Sequence, residues 1–519
     1  MQSDPDPSPN ASRRRLLRSV AGLAAVGSLA GCNEGGDATD GSPAPAESDT
    51  SAPSPTPSPT VPPTTAPPTD PPTATPTPTP SRTATVTPTP TEPAVAREFV
   101  AHLRAGEFDA AHEMFTPDLA SAVTRPTLER YWLGLQAQHG AVRSVGSVET
   151  TTRQGSEVAL VPVECAQGSA GIEVAAAGGG RIGGLWFPGE YSAPEYVDDA
   201  AFTERTLTLE PEGCSLPATL TVPAGARGGS GTGTASGTAT DTASGTAADS
   251  TVPGVVLVHG SGPHDRDETI GPNKPLRDVA QGLATRGVAV LRYEKRTYAC
   301  DVPRAEWAID DIIVDDAVHA LGVLRGQPEV DPERTVVAGH SVGAACAPRI
   351  AERDGQVAGA AVLAGNARPF TEVYPGQVRH IFEVQGGLSA REEQQLSAVT
   401  QLMSAVEDGS VADDRPIGPL PGIWWKTFYE YDQIATANRI DADLVFAHGG
   451  RDFQIPIDPA MTGWREGLDD AAASRFERYP DLSHLFQPGT EPSLTTEYVF
   501  ADNVAQDLVT DLADWTTRL

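Results

Sequence analysis

Thr335-Val336-Val337-Ala338-Gly339-His340-Ser341-Val342-Gly343 passes from a short apolar run through a serine set between glycines and on into a helix-forming stretch. A sharp strand-to-helix turn of this kind lifts the Ser341 hydroxyl above the sheet. Glycines two residues before and two after the serine let the strand and helix backbones approach each other. The Val342 N–H then faces the point where negative charge develops on an attacked carbonyl. The Gly-x-Ser-x-Gly pattern occurs once in the 519 residues. His340 is read as structural, with its side chain turned away from the serine.

Outward from this turn the chain alternates strands and helices, the signature of a mainly parallel sheet with helices on both faces. The apolar strand-like runs are 216–222, 254–258, 288–292, 335–338, 359–363 and 444–447, with helices such as 309–325 between them. About 80 residues separate the last two runs, are rich in helix formers, and end in Ile423-Trp424-Trp425-Lys426. Residues 366–440 are accordingly read as a cap over the site. A Gly/Ser/Thr/Ala repeat over 226–250 is tolerable only as a surface insert.

The run 255–258 leads into His259-Gly260-Ser261-Gly262-Pro263, where a glycine-rich turn supplies a second oxyanion donor. Ser261 N–H is the first choice for that donor and Gly262 N–H the second. Downstream come His448-Gly449-Gly450-Arg451-Asp452 and Pro480-Asp481-Leu482-Ser483-His484. Nucleophile, acid and base therefore follow in the order Ser341, Asp452, His484. His484 would take the Ser341 proton, and Asp452 would hold the imidazole tautomer and stabilise the imidazolium. His259 packs against its turn, because the base comes last in this order. Asn366, in the alternative acid position after 359–363, has no charge to offer, and Asp481 is read as bracing its own loop. No Cys-x-x-Cys or His-x-x-x-His spacing is present, so neither a metal nor a cofactor is expected.

These motifs, with Asp265-Arg266-Asp267, Arg292-Tyr293-Glu294-Lys295-Arg296 and Pro348-Arg349-Ile350-Ala351, resemble the secreted α/β-hydrolase serine esterases. Members of that family often carry a small nuclear transport factor 2-like cone domain in front. The resemblance extends from about Phe99 to the C-terminus. It implies an α/β-hydrolase fold acting through an acyl-enzyme on short or medium carboxylic esters, with Ser341, Asp452 and His484 as the triad. The departures, Glu294-Lys295-Arg296-Thr297 for Asp-Lys-Arg-Gly and Val342 for Leu, bear on substrate preference rather than on the triad. Serine peptidases and thioesterases share this triad and stay open as alternatives. A non-catalytic surface-binding lipoprotein is the reading from another class; it predicts a lost triad member or elbow glycine, and none is lost.

Ahead of the hydrolase region (193–519), residues 95–192 read as a small α+β domain. Phe99, Val100, Leu103, Phe108, Ala111 and Phe115 fall at helical spacing broken at Gly106, and Pro126 opens a helix carrying Leu128, Trp132 and Leu135. Strand-like runs at 157–163 and 183–187 follow. The expected role is a spacer or a substrate-presenting module.

The first 31 residues read as a signal peptide. Ser12-Arg13-Arg14-Arg15-Leu16-Leu17 resembles the twin-arginine export signature, and the apolar run 20–30 is too short to cross a bilayer as a helix. Leu29-Ala30-Gly31-Cys32 resembles a lipobox, with Cys32 the lipidated residue of an exported protein anchored to the outer face of the cell membrane. Residues 32–94 are Ser, Thr, Pro and acid, a disordered stalk that cannot bury enough apolar surface to fold. The chain carries 37 Lys+Arg against 69 Asp+Glu, a net charge of −32 that repels nucleic acid. The leader holds four Arg and two Asp and the stalk one Arg and seven acids, which leaves −28 on the folded body. With only Lys274, Lys295 and Lys426 as lysines, this resembles the composition of salt-adapted, haloarchaeal proteins; an acidic mesophilic protein is the alternative. Cys165, Cys214, Cys300 and Cys346 allow three pairings, and buried free thiols are favoured over bridges. A small-molecule ester and the membrane are the expected partners, with no obligate protein partner.

Overall fold

The computed structural model describes residues 91–153, 156–187, 189–226, 251–469 and 474–519. The leader, Cys32, the stalk up to residue 90 and the insert beyond Ala226 lie outside the described residues. The first element is α1 (Glu92–Ala105), with Pro93 in its first turn and Gly106 closing it in the left-handed conformation at φ 74°. It buries Val95, Phe99, Val100 and Leu103 at three- and four-residue intervals. The stalk expected to reach residue 94 thus gives way at Glu92, because the proline-rich pattern there already suits a helix start. Then come α2 (Phe108–Glu113), α3 (Pro117–Ala122) and α4 (Arg125–His139), the last capped by the Thr124 hydroxyl, which accepts from the Thr127 N–H.

Strands β1 (Val142–Val145), β2 (Glu149–Arg153), β3 (Ser156–Cys165), β4 (Gly168–Ala176) and β5 (Ile182–Trp186) form an antiparallel sheet in the order β1-β3-β4-β5, with β2 also paired to β3. Its buried residues Val161, Ile172 and Ile182 meet Phe99 and Trp132 from the helices and Phe115 from the turn after α2. Helices followed by an antiparallel sheet make this an α+β unit.

The larger domain runs β6 (Phe202–Leu209), β7 (Leu216–Pro223), β8 (Val252–Val258), α5 (Pro275–Thr285), β9 (Ala289–Tyr293), α6 (Asp315–Arg325), β10 (Val330–His340), α7 (Val342–Asp354) and β11 (Gly359–Leu363). A helical excursion follows: α8 (Phe370–Val384), α9 (Ala390–Glu407), a ribbon of β12 (Pro416–Ile417) and β13 (Leu420–Pro421), α10 (Gly422–Tyr429) and α11 (Gln433–Ala437). The chain ends with β14 (Asp443–Gly449), α12 (Ile457–Gly467), β15 (Ser474–Tyr479) and α13 (Gln506–Arg518).

The eight-stranded sheet has the order β15-β14-β11-β10-β8-β9-β7-β6. Its strands are parallel from β15 to β9, and β7 and β6 add antiparallel pairings at one edge. Alternate residues face opposite sides. Val256, Val258, Val337, Ala360, Val362 and Phe446 pack with Leu321 of α6 and Ile350 of α7. Val255, Leu257, Val336, Ala338, Ala361 and Val445 pack with Leu283 of α5 and Leu512 of α13. Burial on both faces explains why these strands read as continuous apolar runs.

Cys214 and Cys300 form a disulfide with a Cα separation of 6.2 Å, and Cys165 and Cys346 are buried free thiols. The expectation of free thiols is therefore corrected at two positions. Cys300 follows a short helical turn beside β7 rather than lying in the sheet core with Cys346, and pairing depends on that proximity, not on burial.

The small domain docks on the segment after His484. Thr490 Oγ1 donates to the Gln136 carbonyl of α4 at 2.9 Å, and Thr496 Oγ1 donates to that of Arg130 at 2.6 Å. A Cβ at Gly134 would lie 2.6 Å from the Thr496 backbone, so the helix needs glycine to approach this closely.

Candidate active site

The turn from β10 into α7 places Ser341 at φ 55° and ψ −115°, a conformation that a residue with a side chain adopts only under strain. Two contacts enforce it. A Cβ at Gly339 would sit 2.1 Å from the Gly343 carbonyl oxygen, and one at Gly343 would sit 2.5 Å from that of His259. The Ser341 N–H donates to the Leu363 carbonyl at 2.9 Å, tying the turn to β11. The Ser341 hydroxyl makes no capping bond to the helix it opens, so it is not spent on the backbone. Val342 is the first residue of α7, and its N–H belongs to the four at a helix start that lack an intrahelical acceptor.

Among the described residues, three others with side chains have positive φ: Glu268, Ala364 and Phe486, at 53°, 54° and 56°. Ala364 follows β11, Phe486 lies two residues after His484, and Glu268 contacts the loop after β8. Strain concentrates around one point, as it does at functional sites.

His484 Nδ1 donates to Asp452 Oδ2 at 2.7 Å, with both residues buried. Asp452 Oδ1 accepts the Ile455 N–H at 2.9 Å, and His448 Nε2 lies 3.3 Å from Oδ2 while donating to the Ile455 carbonyl at 2.6 Å. Burial opposes the charge on Asp452, but His484 and His448 outweigh it and hold the carboxyl below the usual carboxylate range. Burial is also the largest influence on His484 and keeps its imidazole below the ordinary value, with Asp452 pulling the other way. The ring is thus neutral at neutral pH and aimed by a carboxylate. Asp481 is exposed. Asn366 is buried, and its side chain donates to the Arg368 carbonyl.

The loop after β8 comes up against the serine, since a Cβ at Gly260 would be 3.2 Å from Ser341 Cβ. The Gly260 backbone is held on both sides of its Cα: its N–H donates to Glu268 Oε1 at 2.7 Å, and its carbonyl accepts from Lys295 Nζ at 2.6 Å. In a trans peptide the next N–H points opposite to that carbonyl, so Lys295 fixes the direction of the Ser261 N–H. Gly262 takes φ 88°, where glycine is at ease. His259 is buried with its ring edge-on to Tyr293, and burial pushes its pKa down to about 3, which leaves it no role as a base.

His340 does turn away from Ser341, but toward Glu268 and the His484 carbonyl. Glu268, Lys295 and His448 escaped the sequence reading. The partners of Glu268 and Lys295 are backbone atoms or a side chain far off in sequence, and His448, four residues before Asp452, stands in its loop without a spacing rule to mark the contact. A cavity of about 350 Å³ opens beside the acid, between Arg379, His380 and Glu383 of α8 and Gly450, Arg451 and Asp452. Its walls do not include Ser341.

Residues 255–437 match the alpha/beta hydrolase family, and residues 96–185 match a family described as a protein of unknown function, DUF3887. The chain is similar to Esterase EstD of Thermotoga maritima, at 28% identity over 424 residues that cover 81% of this chain and 94% of that protein. Among solved structures, Est1E from Butyrivibrio proteoclasticus with bound ferulic acid aligns at 14% identity and a TM-score of 0.40, covering 60% of this chain and 100% of that one. The acylaminoacyl peptidase of Pyrococcus horikoshii aligns at 12% and 0.37, covering 72% and 56%.

Proposed function

We propose that the protein is a serine carboxylic-ester hydrolase in which Ser341 attacks the acyl carbon, His484 moves the proton and Asp452 orients His484. The observation that carries this reading is the strained Ser341 turn together with the buried His484–Asp452 hydrogen bond. Attack by Ser341 Oγ forms an acyl-enzyme while its proton passes to His484 Nε2 and then to the leaving alcohol. Water repeats the sequence in reverse roles and frees the acid. Val342 N–H and Ser261 N–H, with Gly262 N–H as the alternative second donor, stabilise the oxyanion. The similarity to Esterase EstD supports an ester over other acyl substrates.

The test is a panel of p-nitrophenyl esters, the matching thioesters and aminoacyl anilides, assayed in molar salt. Hydrolysis of short or medium esters with a kcat/KM well above that for thioesters and anilides is expected. Preference for anilides would make the protein a peptidase instead.

The leader motifs support export by the twin-arginine route and lipidation at Cys32, with the body held outside the membrane. Cys32→Ser is expected to move the protein from the membrane fraction to the medium. Full retention on membranes would contradict the anchor. The small domain in front of the hydrolase is proposed to be of the nuclear transport factor 2-like cone type.

A further inference from the structure

Behind the serine lies a second carboxylate–imidazole pair for which the proposed chemistry has no use. Glu268 is 1% exposed and His340 6%. His340 Nδ1 lies 3.0 Å from Glu268 Oε2, and His340 Nε2 lies 3.0 Å from the His484 carbonyl oxygen. The other oxygen of Glu268 accepts the Gly260 N–H. One continuous chain of hydrogen bonds therefore runs from the oxyanion loop, through Glu268 and His340, to the backbone of the residue read as the base.

We propose that Glu268 and His340 are a positioning pair for the ester hydrolysis: they align the Gly260 and His484 loops and hold a positive charge beneath the His484 ring, which keeps His484 neutral and able to accept a proton at lower pH. The proposal rests on the serine-hydrolase reading above. A carbonyl has no proton to give, so Nε2 of His340 must donate. Nδ1 faces a carboxylate, so the one proton between them decides where the charge lies. Burial works against charge on both partners. Even so, His340 holds the Glu268 carboxyl below its usual range, and Glu268 raises His340 above the ordinary imidazole value. The pair is accordingly assigned as an imidazolium and a carboxylate, on the two hydrogen bonds of His340 and the direction of these shifts.

The ring of His340 is 4.9 Å from that of His484, centroid to centroid. The titratable groups acting on His484 are Asp452, which favours its protonation, and His340 and His448, which oppose it. Those acting on His340 are Glu268 and Asp452, and Lys295, His259 and His264 act on Glu268 from its other side. Glu268 bonds the nitrogen of His340 that does not reach the His484 loop, so the cation is the nearer charge to His484. Removing it raises the His484 pKa, and activity is then lost at a higher pH on the acid side.

Glu268→Gln separates this role from a structural one. The amide oxygen still accepts the Gly260 N–H, and the amide nitrogen donates to Nδ1 of a neutral His340, whose Nε2–H still reaches His484. Every hydrogen bond survives and only the charges go. The acid limb of the kcat/KM profile is expected to move up by about half a pH unit or more, with KM little changed. Imidazole ¹⁵N NMR of the wild type is expected to show His340 protonated on both nitrogens from pH 5 to 9. An unmoved acid limb, or a His340 ring that titrates near neutral pH, overturns the proposal. Ser341→Ala, run in parallel, isolates the underlying reading. If ester hydrolysis survives it, the serine mechanism fails, while the NMR measurement still decides the charge on His340.

Discussion

Ser341→Ala is expected to reduce kcat on p-nitrophenyl esters by about 10⁶, and His484→Ala by about as much. The double variant should be no worse than either single one, because nucleophile and base act as a unit and losing one idles the other. A residual rate of about 10³ over water should persist, since the proposed oxyanion donors at Val342 and Ser261 remain. The fold gives a second handle on Ser341. Alanine keeps a Cβ and so keeps the strain of φ 55°, whereas glycine relieves it. Ser341→Gly should therefore melt higher than Ser341→Ala, by about 1 kcal/mol or more of unfolding free energy, while being equally inactive. Equal melting of the two would show that the turn stores no strain; retained turnover in Ser341→Ala would remove the nucleophile assignment.

Legibility in the sequence followed the range of the forces involved. The elbow was readable because its constraint is local. Gly339 and Gly343 are needed where a Cβ would strike backbone atoms, and those atoms lie within a few residues or on the adjoining strand. Strand β11 matched its expected span of 359–363, because all five residues are buried between two layers. By contrast β6 alternates buried ends with an exposed or half-buried middle, and β15 is mostly half-buried and charged, so neither presented an apolar run. The Cys214–Cys300 bridge spans 86 residues, and the Glu268–His340 pair spans 72. Neither has a periodicity to announce it. Arg451, to which the sequence assigns no role, is buried with Glu497, which it contacts at 2.6 Å. That ion pair ties the turn bearing Asp452 to the segment on which the small domain docks. Isolated buried charges of this kind persist only when paired.

Asp452→Asn is the sharper test, because it changes one atom and leaves the fold's contacts nearly intact. Both oxygens of Asp452 accept: Oδ1 from the Ile455 N–H, and Oδ2 from His484 Nδ1 with His448 nearby. An asparagine has one acceptor for these two directions. With its oxygen toward Ile455, its NH₂ faces His484 and forces the imidazole into the tautomer with Nδ1 bare and Nε2 protonated. That ring cannot take a proton from Ser341. With its oxygen toward His484, the NH₂ opposes a backbone N–H in a buried site, a cost of about 1–3 kcal/mol. The first arrangement is therefore preferred, and kcat should fall by about 10⁴ while KM changes little. Asp481 offers the control. It is exposed, so Asp481→Asn should retain nearly full activity. Asn366→Ala loses only a bond to the Arg368 carbonyl and should cost far less than the acid. If Asp481→Asn is the crippled variant and Asp452→Asn turns over normally, the base is oriented by the wrong residue in this assignment, and the buried Asp452–His484 bond is structural alone.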